Sequence, residues 1–371
     1  SFFEYHDSLV RLILIHQQTQ IKKGDDNGFG FTDFGIASEM MKLSFYSLLV
    51  SHYYSNNLQA EQFYSFFDKP QSNSSQIHSK NPNSFLLDRL FHLKVLDPAV
   101  GTGIFPIVYI CFGLYLEIIL KRRISEHPHS IQKLLVILDS VISFKTTSQK
   151  LFSTLEMALN NITDNFQDKI FNKLFTFLNQ NLTIVDIDPI SSRMAELRIK
   201  TLLLALFGYK YQNRIQGISL TTISRDFLHN DTLEGHRFDL VIANPPYISS
   251  DRLSTNIGQI SIKDLKKQFS QVVTPRNKVD LYFFFLKKSL DLLTPSGIYC
   301  FIIPNRILTN NYAKRLRTFL FNRSKLDFCW DFDHTLNLFP RLNVHPCILC
   351  GKKISENHDF GGIFKKKPYR M

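Results

Sequence analysis

The stretch that most constrains this 371-residue chain runs from Phe238 to Ile248, F-D-L-V-I-A-N-P-P-Y-I. An acidic start leads into an apolar run, Leu240 to Ala243, which is the pattern of a buried strand. Asn244-Pro245-Pro246-Tyr247 then ends it, because two consecutive prolines neither continue a sheet ladder nor sit in a helix interior. The chain is left with a stiff loop at a strand end, presenting an amide and an aromatic ring. The amide oxygen can accept from an amino group, and Tyr247 offers a flat face for stacking. Together they suit a planar ring that carries an amino group. A surface turn that happens to contain Pro-Pro is the plainer alternative.

A second stretch, Val95 to Phe105, reads V-L-D-P-A-V-G-T-G-I-F. It is a strand, an acidic turn, then Gly101 and Gly103 one residue apart. Glycines let backbone approach a ligand closely and open the following helix. The third glycine of the dinucleotide fingerprint is missing. In this order the two stretches resemble motifs I and IV of the S-adenosylmethionine-dependent adenine-N6 methyltransferases. The match is to the DNA methylases of restriction–modification systems, type II and IIG-like, whose cofactor motifs precede the catalytic motif.

That resemblance implies a Rossmann-like α/β fold: a mostly parallel sheet with an antiparallel last strand, N-terminal helices and a helical insertion. It implies S-adenosylmethionine as cofactor and DNA, presenting a flipped adenine, as partner. It places Asp97, Pro98, Ala99, Gly101 and Gly103 against the cofactor, and Asn244, Pro245, Pro246 and Tyr247 at the reaction, with Asn244 also touching the cofactor. The expected organisation is an N-terminal helical region over 1–90, a methyltransferase domain over 91–350 and a basic tail over 351–371.

Further segments extend the resemblance. Thr32 fits motif X, although Asp33 stands where that motif has proline, and helix capping by Thr32 or Asp33 is an equal alternative. Asp186-Ile187-Asp188-Pro189 resembles motif II, with Asp186 and Ile187 against the cofactor; Asp188 is the alternative carboxylate there, or else a cap of the helix Ser191 to Leu206. From Asp97 to Asp186 the spacing far exceeds the usual interval of about 20 residues, so residues of about 121–180 read as a helical insertion, by default a packing subdomain. Arg225-Asp226-Phe227-Leu228 resembles motif III, with Asp226 and Phe227 at the cofactor's adenine; a loop Asp also forms turns. Asp280-Leu281-Tyr282-Phe283 opens a helix and resembles motif V. Thr294 to Gly297 is a turn into a strand, Ile298 to Ile303, that resembles motif VI. Phe339 falls where motif VIII places an aromatic against the flipped base, and a core Phe is the alternative. Residues 1–20 and 41–68 read as helices, and Lys69 to Ser84 as a polar loop.

The net charge of +12 favours a polyanionic partner. The basic residues between 249 and 278 suit phosphates or a solvated face equally. Five cysteines, an odd number, point to a reducing, cytoplasmic compartment. Cys347 and Cys350 form C-x-x-C, yet without a second pair they read as a plain strand rather than a metal site. Ile104 to Leu120 is short for a membrane span and carries Glu117, so it reads as a buried helix. In this motif order the target-recognition region follows motif VIII. Only Lys352 to Met371 remain there, far short of the roughly 100 residues of a domain. That region is therefore expected to be missing, truncated or carried by a separate specificity subunit. Cytosine-N4 or RNA methylation, and a cofactor-binding subunit without turnover, remain as alternatives; Asn at 244 favours adenine.

Overall fold

Each strand grows from a short apolar or β-branched run and stops at turn residues. The computed structural model describes residues 32–54, 90–120, 148–229, 231–248, 262–274, 278–332 and 345–354. Its strands are β1 (Val95–Asp97), β2 (Leu182–Val185), β3 (Thr221–Ile223), β4 (Phe238–Ala243), β5 (Leu293–Pro304), β6 (Ser324–Asp331) and β7 (Pro346–Lys353). They form one seven-stranded sheet, ordered β3-β2-β1-β4-β5-β7-β6. β3, β2, β1, β4 and β5 pair in parallel. β7 is antiparallel to both neighbours, β5 and β6, so the last strand of the sheet is inserted rather than added at the edge.

Nine helices used below cover the sheet. They are α1 (Phe34–Tyr54), α2 (Ile104–Tyr115), α3 (Ser148–Asn160), α4 (Asp164–Thr176), α5 (Pro189–Phe207), α6 (Gln212–Gln216), α7 (Ile262–Gln268), α8 (Tyr282–Leu292) and α9 (Lys314–Arg323). The alternation of side chains along a strand sorts the core into two layers. Leu240 and Ile242 of β4, with Ile298, Cys300 and Ile302 of β5, join a cluster with α1 to α5. Val241, Ala243, Phe301 and Ile303 join a second cluster with α7, α8 and α9. The molecule is thus a helix–sheet–helix sandwich, and strands covered on both faces are apolar throughout, as parallel strands require.

Several expectations are refined. The buried helix after the glycine turn is α2, and no described helix is long and apolar enough to cross a membrane. The described part of the insertion, α3 and α4, does not build a core of its own. Leu151, Leu155, Ile170, Phe171 and Leu174 share the cluster of the sheet, and Arg214 of α6 lies over the Phe171 ring at 4.4 Å. α1 belongs to the same layer, its Phe45 stacked on Phe112 of α2 at 4.7 Å. The Thr294–Gly297 turn lies inside β5 as a bulge: pairing with β4 jumps from Phe238↔Leu293 to Leu240↔Ile298, and Ser296 has φ 66°. Asp239 fixes this corner, accepting from Lys94 N at 2.9 Å and from Thr294 Oγ1 at 3.2 Å. Cys347 and Cys350 lie on β7 facing opposite layers. β3 has no counterpart in the sequence reading. Residues 1–20, 55–68, 69–84, 121–147 and 355–371 lie outside the described residues.

Asp188 is the N-cap of α5, accepting from Ile190 N at 3.0 Å and Ser191 N at 3.2 Å, with Pro189 in the first turn. Asp188→Ala is expected to cost about 1 kcal/mol, a fall of roughly 1–2 °C in Tm for a chain of this size. Thermal unfolding that leaves the midpoint unmoved would remove the cap from the account.

Candidate functional site

The strand order reverses at β1, whose neighbours are β2 and β4. A crevice opens there, outside the carboxyl ends of the strands. The turn after β1 is left-handed at Gly101 (φ 49°) and Gly103 (φ 79°). A Cβ on Gly103 would lie 2.8 Å from that of Ala195, so α5 can pack on the turn only because no side chain is there. A Cβ on Gly101 would meet nothing within 4 Å; that side of the turn faces open space.

Asp186, just past β2, ties the neighbouring turns together. Its Oδ2 accepts from Gly101 N at 2.8 Å and its Oδ1 from Asp188 N at 2.9 Å. Asp97, 1% exposed, accepts from Ala99 N through Oδ1 at 3.2 Å. Its Oδ2 is buried with no hydrogen-bond partner among the described residues. Burial raises the Asp97 pKa well above the carboxylate range, against the Ala99 amide, and the charge of Asp186 adds to the rise. Asp186 is raised as well, again chiefly by burial. Two carboxyls that resist ionisation at one crevice suit a cationic or hydroxyl-rich ligand. Pro98 is buried, Ala99 half-buried, and Ile187 and Ile190 are each 48% exposed beside the acidic pair.

β4 delivers Asn244 to the next position along the same edge. Its Nδ2 donates to Thr32 Oγ1 at 3.0 Å, across 212 positions of sequence. Asp33 meanwhile caps α1, accepting from Gly35 N at 2.7 Å. Of the two residues read as possible caps, Asp33 is the one that caps, while Thr32 accepts from the Asn244 amide. Pro245 is buried and Pro246 half-buried. Tyr247 is 7% exposed and donates to the Ile302 carbonyl at 3.0 Å, which pins its ring; burial keeps the phenol neutral by pushing its pKa far up.

Asp226 behaves as a turn former, with Oδ1 accepting from Leu228 N at 2.9 Å and Oδ2 2.9 Å from His229 Nδ1. Phe227 is 2% exposed, against Phe285 at 5.1 Å. Phe339 lies outside the described residues, as do Arg252 and Arg276.

Two supports, Arg198 and Lys288, escaped the sequence reading, and a third, Asp280, stands in the segment that resembles motif V. Arg198 of α5, 4% exposed, donates to the Thr102 carbonyl beneath the glycine turn, and burial lowers its pKa to about 10. The available signal was a cation inside the apolar stripe Ala195, Ile199, Leu202. Lys288 of α8 donates to the Phe227 carbonyl at 2.7 Å, behind the Asp226 turn. Asp280 holds Arg306, whose Nη2 donates to Oδ1 at 3.0 Å and whose Nε lies 2.9 Å from Oδ2, and accepts from Tyr312 at 3.1 Å. Leu281 N donates to the Ile248 carbonyl at 2.8 Å, which anchors the loop after Tyr247.

Sheet order, glycine turn, acidic strand ends and the Asn-Pro-Pro-Tyr loop together define a Rossmann-like protein of the methyltransferase type. The Eco57I restriction-modification methylase family model matches residues 122–339, more than half of the chain. The chain belongs to that family. It is 30% identical over 139 residues to the type II methyltransferase M.BstVI of Geobacillus stearothermophilus, covering 37% of this chain and 23% of that protein. It is 26% identical over 138 residues to the type II restriction enzyme and methyltransferase RM.Eco57I of Escherichia coli, covering 37% and 13%. The chain thus corresponds to a quarter or less of these relatives' lengths. Among solved structures, the cryo-EM structure of the DrdV–DNA complex superposes with a TM-score of 0.56 at 14% identity, over 95% of this chain and 29% of that one. It shares the fold.

Gly103→Ala is expected to destabilise the turn by about 1–3 kcal/mol, through the contact with Ala195 and the positive φ. Gly101→Ala, with open space ahead of it, should cost less. Denaturant unfolding of the two variants side by side checks the order.

Proposed function

We propose that this chain transfers a methyl group from S-adenosylmethionine to N6 of adenine in DNA, as part of a restriction–modification system. The observation that carries the reading is the position of Asn244. It follows β4 directly, one strand over from the glycine turn, and its Nδ2 donates to Thr32 Oγ1 at 3.0 Å.

The residues at the crevice fit the cofactor. The unsatisfied Asp97 Oδ2 suits an ammonium. The open space at Gly101 admits the methionine portion. A carboxylate has about four acceptor sites, so Asp186 can hold its backbone amides and still accept from ribose hydroxyls. Asp226 can likewise accept from the adenine amino group, with Phe227 behind that ring and the exposed Ile187 beside it. Bound there, the cofactor supplies a methyl already activated by its sulfonium.

The chain's own part is alignment and electrostatics. Asn244 Oδ1 and the Pro245 carbonyl accept the two N6 hydrogens of the target base. This draws the nitrogen lone pair toward the incoming methyl, and N6 gives up one of its two protons to solvent once the methyl is attached. Pro245 and Pro246 hold those acceptors still. Tyr247, fixed through Ile302, stacks on the extruded base and offsets part of an unstacking cost of a few kcal/mol. Phe339 is assigned to the same base on resemblance. Site selection is assigned to a recognition element outside the described residues or on a separate specificity subunit.

Transfer of labelled methyl to unmethylated DNA, followed by digestion to nucleosides, tests the reading. N6-methyladenine is the expected product, and N4-methylcytosine would replace it by the cytosine alternative. Asn244→Ala should lower transfer by at least about a hundredfold, the scale of losing one oriented polar contact at a reacting centre, while calorimetry finds cofactor binding retained. A variant as active as wild type would sink the role of Asn244.

Cofactor binding should also be linked to protons. Burial raises the Asp97 pKa in the ligand-free protein, and an ammonium at Oδ2 would lower it again. Binding then releases a proton, and affinity weakens as pH falls through the raised pKa. Calorimetry in two buffers of different ionisation enthalpy reads the released proton. Asp97→Asn should abolish it.

A further inference from the structure

Arg315, Thr318 and Asn322 of α9, with Asn311 in the turn before it, line a cavity of about 600 Å³ that also reaches Lys314 and Arg323. Its far wall includes Thr274, whose Oγ1 is buried with no hydrogen-bond partner among the described residues. Three cations and several amides and hydroxyls line it, and no carboxylate does among the described residues. Lys314 and Arg323 are exposed. Arg315 is built in: its Nη1 donates to the Ser270 and Val273 carbonyls at 3.1 and 2.9 Å, which holds the two walls together.

The cavity is joined to the proposed base-binding loop by a short chain of contacts. Tyr312 lines the cavity and donates to Asp280. The adjacent Leu281 donates to the carbonyl of Ile248, next to Tyr247. We infer that this cavity seats backbone phosphates of the DNA strand whose base enters the Asn-Pro-Pro-Tyr loop. The inference rests on the DNA reading above and adds a location to it. Phosphate contacts of this kind carry no sequence information; they position the duplex. Charge complementarity selects the occupant: a polyanion meets three cations on a chain of net charge +12.

Such contacts are sequence-independent and strongly salt-dependent, so an unknown target site does not hinder the test. Binding of a short random-sequence duplex to the full chain is measured across a series of salt concentrations. The comparison is between wild type, the double variant Lys314→Ala/Arg323→Ala, and Lys169→Ala on the opposite face of the sheet. Each lost phosphate contact should reduce the slope of log affinity against log salt by about 1. The double variant should therefore lose about 2 with unchanged cofactor affinity, and Lys314→Arg/Arg323→Lys should restore the slope. Lys169→Ala should leave the slope unchanged. An unaltered slope in the double variant, or a wild-type chain that does not hold the duplex, overturns the cavity's assignment. The methyl-transfer assay judges the DNA reading separately, since product can form whichever way the slopes fall.

Discussion

The site depends on one carboxylate. Asp186 receives an amide hydrogen from the turn after β1 and another from the turn after β2, so two loops that begin on different strands move as one. A hydrogen bond to a charged acceptor contributes about 1.5–3 kcal/mol, and both are made where burial opposes the charge. The arrangement holds because the strands beneath it are fixed in register, Asp97 beside Ile184 and Leu96 beside Val241. Arg198 presses on the same turn from below, through the Thr102 carbonyl.

The acid pair is costly without a ligand. Burial raises both carboxyls, the charge of Asp186 adds to the rise at Asp97, and Asp97 keeps a buried oxygen without a hydrogen-bond partner among the described residues. A buried polar atom left this way costs about 1–3 kcal/mol. The two packed layers of the sandwich carry that cost.

Legibility from sequence followed the range of each signal. The strand ends carrying Asp97, Asp186 and Asn244 were readable because a short apolar run closed by Asp-Pro, glycine or Pro-Pro is local information. α5 was readable for the same reason, Asp188 and Pro189 being a cap and a first turn side by side. What was not readable needed the third dimension. β3 has three residues, one of them exposed, too short for a period to register. Thr32 and Asn244 are 212 positions apart, and no spacing rule connects them; only the resemblance brought Thr32 forward. The insertion showed helical periodicity, but whether α3 and α4 would pack on themselves or on α2 and α5 depends on surfaces that the pattern of apolar residues does not orient. Lys288 reads as an ordinary helix residue because its partners are carbonyls of another element, and the motif V segment brings Asp280 forward without naming Arg306 and Tyr312 as what it holds.

The insertion of β7 between β5 and β6 has a consequence for how the molecule is made. β5 and β6 leave the ribosome before the strand that joins them. Until residues 346–353 arrive, the inner edge of β5 has an unpaired row of amides and carbonyls, and its apolar side chains lack half of their neighbours. Closure therefore waits for a contact that spans half a hundred residues, a slow kind of step, and the waiting edge invites pairing with another chain. The loop that carries Asn244 is anchored to this strand through Tyr247 and the Ile302 carbonyl. Assembly of the Asn-Pro-Pro-Tyr loop is thereby coupled to completion of the sheet, and a nascent chain stalled short of β7 would bear the motifs of the crevice without a finished wall behind it.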